Sequence, residues 1–229
     1  PGGHNHAGNE AAPLDRALLE TEITRLAPEV TGFAVAAAFA TRNPAHENAA
    51  RDAVRRIAGL PVTCSHELSA GLNGPRRALT ALLNARLIGM IDRLIGACEG
   101  HMAALGIDAP LMVVRGDGAL VSARLARERP IETILSGPAA SIAGASWLTG
   151  ERDALVSDIG GTTTDILFAE SGGVRLTSGG SVVNGLPLSI PSVANHTFGL
   201  GLIDPPVLPA PGIGDNGLGF TLKQNSCFP

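Results

Sequence analysis

The sequence predicts an α/β fold, and three observations carry that prediction. Short apolar runs bounded by Gly, Pro and Asn alternate with stretches of helical periodicity along most of the chain. One stretch, Arg76 to about Leu105, places Leu79, Leu83, Leu87, Met90, Ile91, Leu94, Cys98, Met102 and Leu105 at steps of three and four. Finally, Ser157–Ile166 reads SDIGGTTTDI between the apolar runs Ala154–Val156 and Ile166–Phe168, which is the pattern of strand, tight turn, strand.

In chain order, residues 1–13 are rich in Gly, Asn and His and read as loop. A helix follows from Leu14 to Leu26, with Asp15 near its start, and Val30–Ala40 reads as a buried strand. Asn43-Pro44 opens a second helix, because Asn caps free amides and Pro at the first turn loses no hydrogen bond; Gly59 ends it. Pro61–Cys64 is a further strand. In the long helix from Arg76, the residues Arg77, Arg86, Asp92, Arg93 and Glu99 fall opposite the apolar stripe, so the stripe is the predicted core face, and Gly106 is the stop. Leu111–Val114 is a strand that runs into the turn Arg115–Gly118. A short helix covers Ser122–Arg127, and an Ala-rich helix runs from Ser136 through Trp147. After the glycine-threonine hairpin, Val174–Thr177, Val182–Val183 and Leu186–Val193 read as strands. From Asp204 to Pro229 the chain is rich in Pro and Gly without a clear period and reads as an irregular tail.

The composition narrows the function classes. The chain has 229 residues, 45% of them apolar, enough for a real core, although six Phe, one Trp and no Tyr leave packing to Ala, Leu, Ile and Val. A net charge of −4 with 17% charged residues gives no electrostatic footprint for nucleic acid. The longest uninterrupted apolar run, Phe33–Ala40, is too short to span a bilayer. Cys64, Cys98 and Cys227 have neither metal spacing nor a disulfide frame, which suits the reducing cytoplasm. The N-terminus lacks the layout of a signal peptide and starts with Pro, which suggests a fragment or a processed chain.

The chemistry concentrates in the glycine-threonine turn. Gly160 and Gly161 can adopt positive φ and let backbone amides approach a ligand, and Thr162, Thr163 and Thr164 add hydroxyls. Asp158 and Asp165 can hold a magnesium ion. The pattern points to phosphate or nucleotide, with a structural hairpin as the rival reading. A second anion site is the helix start Ser136-Gly137-Pro138, whose unpaired amides and dipole favour negative charge; a connecting helix packed by its small residues is the rival there. His46-Glu47 and His66-Glu67 are two His–Glu pairs that a shared divalent metal could join, but solvated or structural histidines are the commoner outcome. Cys64 reads as inert core.

These motifs carry a family resemblance. Thr133–Phe168 resembles the second half of the nucleotide fold shared by actin, sugar kinases and heat-shock chaperone ATPases. More closely, TILSGPAASIAGASWL followed by ALVSDIGGTTTDILF resembles the hydantoinase/5-oxoprolinase family, which includes N-methylhydantoinases and acetone carboxylase subunits. RNPAHE (Arg42–Glu47), CSHEL (Cys64–Leu68), ALLNARL (Ala81–Leu87), RGDGALVS (Arg115–Ser122) and GLPLSIPSV (Gly185–Val193) match that family in the same order. The resemblance implies a partial actin-like ATPase (ribonuclease H-like) subdomain, with a mixed sheet and flanking helices. It divides the chain into residues 1–74, the end of an N-terminal region; 75–203, an ATPase domain; and 204–229, the tail.

It also implies ATP-dependent opening of a cyclic amide such as a hydantoin or 5-oxoproline, with ATP, Mg2+ or another divalent metal, and a second hydantoinase-type subunit as partner. An ATP-dependent carboxylase subunit and an inactive assembly module are the alternatives. By the same analogy Asp158 would hold magnesium, Gly160–Thr164 would cradle phosphate, Asp165 would complete the metal shell or orient a threonine, and Asp117 and Gly118 would lie near the cleft. Family members carry another Asp-x-Gly-Gly-Thr loop near their start, which is not in this sequence, so half a phosphate clamp is expected. Where the family has an Asp two residues before a His, this chain has Ala194, Asn195 and His196, leaving His196 as a lone metal candidate.

Overall fold

The structure, a computed structural model, describes residues 2–161, 163–177, 179–183, 185–198 and 220–223, without the side chains of 198 and 220–223. Along the chain run β1 (Gly3–His4), β2 (Glu10–Ala12), α1 (Arg16–Leu26), β3 (Phe33–Val35), α2 (Ala45–Ala58), β4 (Val62–Cys64), α3 (Ser65–Leu68) and α4 (Gly74–Ala104). They are followed by β5 (Met112–Val114), β6 (Leu120–Ser122), α5 (Ala123–Glu128), α6 (Ser136–Thr149), β7 (Ala154–Ile159), β8 (Thr164–Glu170) and β9 (Gly173–Val174). The last are β10 (Val182–Val183), β11 (Leu186–Pro187), β12 (Asn195–Phe198) and β13 (Phe220–Lys223). The α/β class predicted from sequence holds. The chain forms two compact units, described by their described residues only. One takes Pro1–Leu111, Ser122–Glu132 and Gly180–Ile190; the other takes Met112–Val121, Thr133–Gly179 and Pro191–Pro229.

In the first unit, β3 and β4 pair in parallel, Phe33 opposite Val62 and Val35 opposite Cys64. Asp15 caps α1 by accepting from the Leu18 amide, and Gly59, in the left-handed region at φ 63°, ends α2. Asn43 accepts from the Ala45 amide beside the start of α2. Ile23, Ala53 and Val54 form the apolar centre, with Leu19, Phe33, Ile57 and Val62 packed around them.

The face that α4 buries is not the predicted one. Arg77, Thr80, Ala81, Asn84 and Ile95 are its buried residues, whereas Met90, Leu94, Cys98 and Leu105 of the apolar stripe are exposed. A polar stripe can be buried here because each member is bonded. Asn84 donates to Thr63 Oγ1 and the Glu128 carbonyl and accepts from the Ile131 amide. Thr80 accepts from the Ser189 amide, and Arg77 donates to the Gly71 and Ala37 carbonyls. Buried polar groups that are fully paired cost little.

The second unit is an antiparallel sheet in the order β12-β8-β7-β13, with β9 extending from β8. Its parallel counterpart, β3–β4, belongs to the other unit, so parallel and antiparallel pairing occur in separate sheets. α6 packs on one face: Ala139 and Ile142 meet Ala154, Val156, Leu167, Ala169 and Val193. These strand residues share a face because Ala154–Ala169 and Val156–Leu167 are direct cross-strand partners. The hairpin β5–β6 ends in the turn Arg115–Gly118, where Gly116 is obligatory: a Cβ there would fall on the Ile134 carbonyl oxygen.

Several boundaries differ from the sequence reading. The loop at residues 1–13 contains the hairpin β1–β2. The strand expected over Val30–Ala40 is only three residues long, because the chain turns at Phe39, whose φ is +50°. Leu186–Val193 contributes only the two residues of β11 and an isolated bridge between Leu176 and Val193. β12 had no counterpart in the sequence reading. Most of the tail from Asp204 lies outside the described residues, but Phe220–Lys223 within it is a strand paired with β7. Among the described residues no helix is long and apolar enough to cross a membrane.

Candidate functional site: the carboxylate pair of the β7–β8 hairpin

Asp158 and Asp165 are direct partners across β7 and β8, so both carboxylates stand on one face of the hairpin. It is the face covered by α6, continuing the row Ala154, Val156 and Asp158. Each carboxylate is held by a hydroxyl from a different element. Ser141 of α6 donates to Asp158 Oδ2 at 2.5 Å. Thr197 of β12 donates to Asp165 Oδ1 at 2.5 Å, with Asn195 Nδ2 at 3.4 Å from the same oxygen and 2.9 Å from the Thr197 hydroxyl. The other oxygen of each, Asp158 Oδ1 and Asp165 Oδ2, takes no hydrogen bond from a described residue. Two facing carboxylates with an oxygen spare on each suit a hard cation and its waters.

The turn between them is tighter than the sequence suggested. Gly160 donates its amide to the Thr163 carbonyl at 2.8 Å, which closes the turn. Neither Gly160 nor Gly161 adopts positive φ, so the expected left-handed geometry is absent at both. Gly161 has open space where a Cβ would stand, while a Cβ on Gly160 would come 3.4 Å from the Thr163 carbonyl oxygen. Thr164 begins β8, Thr163 precedes it, and Thr162 lies outside the described residues.

The remaining sequence candidates divide. Ser136 and Gly137 form the first turn of α6, after Leu135 in the left-handed region at φ 60°. They stand about 7.5 and 6 Å from Ser141 along the axis, and a Cβ on Gly137 would meet nothing. Asp117 is committed to its own turn: it is ion-paired with Arg115 and accepts from the Ala119 amide. Burial alone would raise its pKa, but the hydrogen bonds from Arg115 and Ala119 and the Arg115 charge outweigh it and hold the carboxyl below its usual range. Gly118 packs on Val174, whose partner Ala169 lies four residues along β8 from Asp165, about 13 Å away. Asp117 and Gly118 are therefore not brought to the carboxylate pair. His196 is exposed and adjacent to Thr197, so it points to the opposite face of β12 and does not join the two carboxylates. Ser141, Asn195 and Thr197 were not singled out from sequence; the available signals were a hydroxyl inside an Ala-rich helix and an alternating Asn-x-Thr.

The two His–Glu pairs resolve differently. Glu67 pairs with Arg51 at 2.7 Å, whereas Glu47 and His66 meet. Glu47, Cys64 and His66 are the one trio among the described residues whose ligand atoms lie within 4.8 Å of one another. Yet the fully buried Glu47 carboxylate already accepts from the Ala37 amide, the Ser65 hydroxyl, the His66 amide and His66 Nδ1. Burial, then the charges of Glu67 and Glu47, push the Cys64 thiol up to about 12. The trio is a satisfied structural network, with Arg77 reaching Ser65 on its far side.

The α/β fold that carries this glycine turn and its facing carboxylates has counterparts among known proteins. The hydantoinase/oxoprolinase family model matches residues 77–201, more than half of the chain. The chain belongs to that family. It is 27% identical over 199 residues to caprolactamase subunit alpha of Pseudomonas jessenii, covering 85% of this chain and 28% of that one. It is 26% identical over 179 residues to the acetophenone carboxylase gamma subunit of Aromatoleum aromaticum, covering 74% and 24%. Among solved structures, ATP-dependent caprolactamase from P. jessenii matches with a TM-score of 0.74 at 27% identity, over 86% of this chain and 29% of that chain. Nucleotide-free acetone carboxylase matches with a TM-score of 0.69 at 23% identity, over 87% and 29%, a likeness of fold. The chain thus spans less than a third of the length of these relatives.

Proposed function

We propose that the carboxylate pair of the β7–β8 hairpin is one side of an Mg-ATP site, and that the whole protein uses ATP to open a cyclic amide. The observation that carries this reading is the facing pair Asp158 and Asp165, each fixed by a hydroxyl and each with a spare oxygen. Magnesium would be held by those oxygens, largely through water, and when bound would neutralise charge on the phosphates. The chain's own contribution is positional. Ser141 and Thr197 fix the carboxylates, and phosphate would lie beside Gly161, which has open space where a Cβ would stand. The domain limits read from sequence, 75–203 for the ATPase part above all, belong to this proposal, as does the second subunit suggested by the subunit names of the relatives.

A second reading, ATP-dependent carboxylation, is favoured by the likeness to the acetophenone carboxylase gamma subunit. Titration calorimetry of this chain with Mg-ATP tests the site. Saturable heat lost in Asp158→Asn is expected, and no heat at millimolar nucleotide would remove the claim that this segment binds. Bicarbonate-dependent ATP turnover by the whole protein with its partner would favour carboxylation over hydrolysis.

A further inference from the structure

The first unit holds a second group of ligating side chains, sharing no residue with the hairpin. His4 on β1 and His46 in the first turn of α2 are 4% and 8% exposed. Their ring centroids are 4.3 Å apart, with planes tilted by 40°. His46 Nε2 lies 2.8 Å from Glu10 Oε1 on β2. The carboxylate can only accept, so Nε2 carries a proton, and in the neutral ring the lone pair is on Nδ1. Nδ1 of His46 and Nδ1 of His4 are both buried without a hydrogen-bond partner. A buried polar atom left unpaired is costly, and here two of them belong to rings in contact. A cavity of about 450 Å³ lined by His4, Glu10, Arg16, Asn43 and His46 adjoins them. Gly2, at φ 144°, keeps the approach to His46 Nδ1 open, since a Cβ there would stand 3.4 Å from it.

We propose that His4 and His46 bind one first-row divalent transition-metal ion through their Nδ1 atoms, with Glu10 as the carboxylate behind His46. The donor set fits the chemistry: neutral imidazole suits nickel, cobalt, copper and zinc, and a metal-bound His usually gives its other N–H to a carboxylate. Arg16 also lines the cavity.

The test is titration of the metal-stripped 229-residue chain with Ni2+, followed by calorimetry, with circular dichroism to check folding. One saturable equivalent is expected, lost in His4→Asn and in His46→Asn and weakened about 10–100-fold in Glu10→Gln. His101→Asn, an exposed control on α4, leaves it unchanged. His4 lies on a two-residue strand, so its variant carries the test if His46→Asn fails to fold. The absence of a saturable equivalent, or one that survives His4→Asn, overturns the proposal.

Discussion

Two hydroxyls determine how the hairpin's carboxylates stand. Ser141 fixes Asp158 from a helix, and Thr197 fixes Asp165 from a neighbouring strand, so neither carboxylate depends on the turn alone. Removing a hydrogen bond to a charged group costs about 1.5–3 kcal/mol, only part of which falls on binding. Ser141→Ala is expected to weaken Mg-ATP about tenfold, a change of about 1.4 kcal/mol, and Ser141→Thr to restore it; calorimetry reads both. Cys64 gives a pH prediction. An unfolded thiol ionises near its ordinary value of 9.0, and the folded one near 12, because burial and then the nearby carboxylates of Glu67 and Glu47 oppose the thiolate. Between those values the folded state keeps a proton that the unfolded state releases. Stability is therefore complete below pH 9.0 and falls as pH rises toward about 12. Denaturant unfolding across that window should show the decline, and Cys64→Ala should flatten it.

Among the elements, those with strong local signals were readable from sequence, and those defined by distant partners were not. α2 and α6 end on their own glycines, Gly59 and Gly150, the β7–β8 hairpin carries its own turn residues, and the structure places all three within a few residues of the sequence reading. β12 shows no run of β-branched residues; pairing with β8 makes it a strand, and it brings Thr197 to Asp165. The α4 face was misread because periodicity weighs apolarity alone. Arg77, Thr80 and Asn84 recur at helical spacing as well, and their bonds to Gly71, Ala37, Ser189, Thr63, Glu128 and Ile131 pull that stripe inward. The paired carboxylates were readable as residue types, but the side chains that hold them were not, since Ser141 is seventeen residues from Asp158 and Thr197 thirty-two from Asp165. Gly116 is a case where close approach, not turn chemistry, requires glycine. Gly116→Ala would drive a methyl group into the Ile134 carbonyl beside the start of α6. Overpacking of this kind costs about 1–3 kcal/mol, and thermal unfolding of the variant should show a Tm lower by several degrees.

For the molecule as a whole, the distribution of apolar surface says which side chains stabilise this chain and which do not. Leu94 is 58% exposed and Trp147 83%, although both are large and apolar. Ile95, one residue beyond Leu94, is 3% exposed. The pattern along α4 therefore separates two groups that composition cannot: buried side chains that stabilise, and exposed ones that do not. An exposed side chain without partners contributes within about 0.5 kcal/mol of zero to folding, while clustered apolar exposure promotes contact between molecules. The double variant Leu94→Lys with Trp147→Arg should leave the Tm within a few degrees of the parent chain. It should also reduce self-association in sedimentation velocity at high protein concentration. Ile95→Lys should do the reverse, burying an unpaired ammonium and lowering or abolishing the unfolding transition. If the double variant unfolded as readily as Ile95→Lys, the exposure of Leu94 and Trp147 would have to be withdrawn.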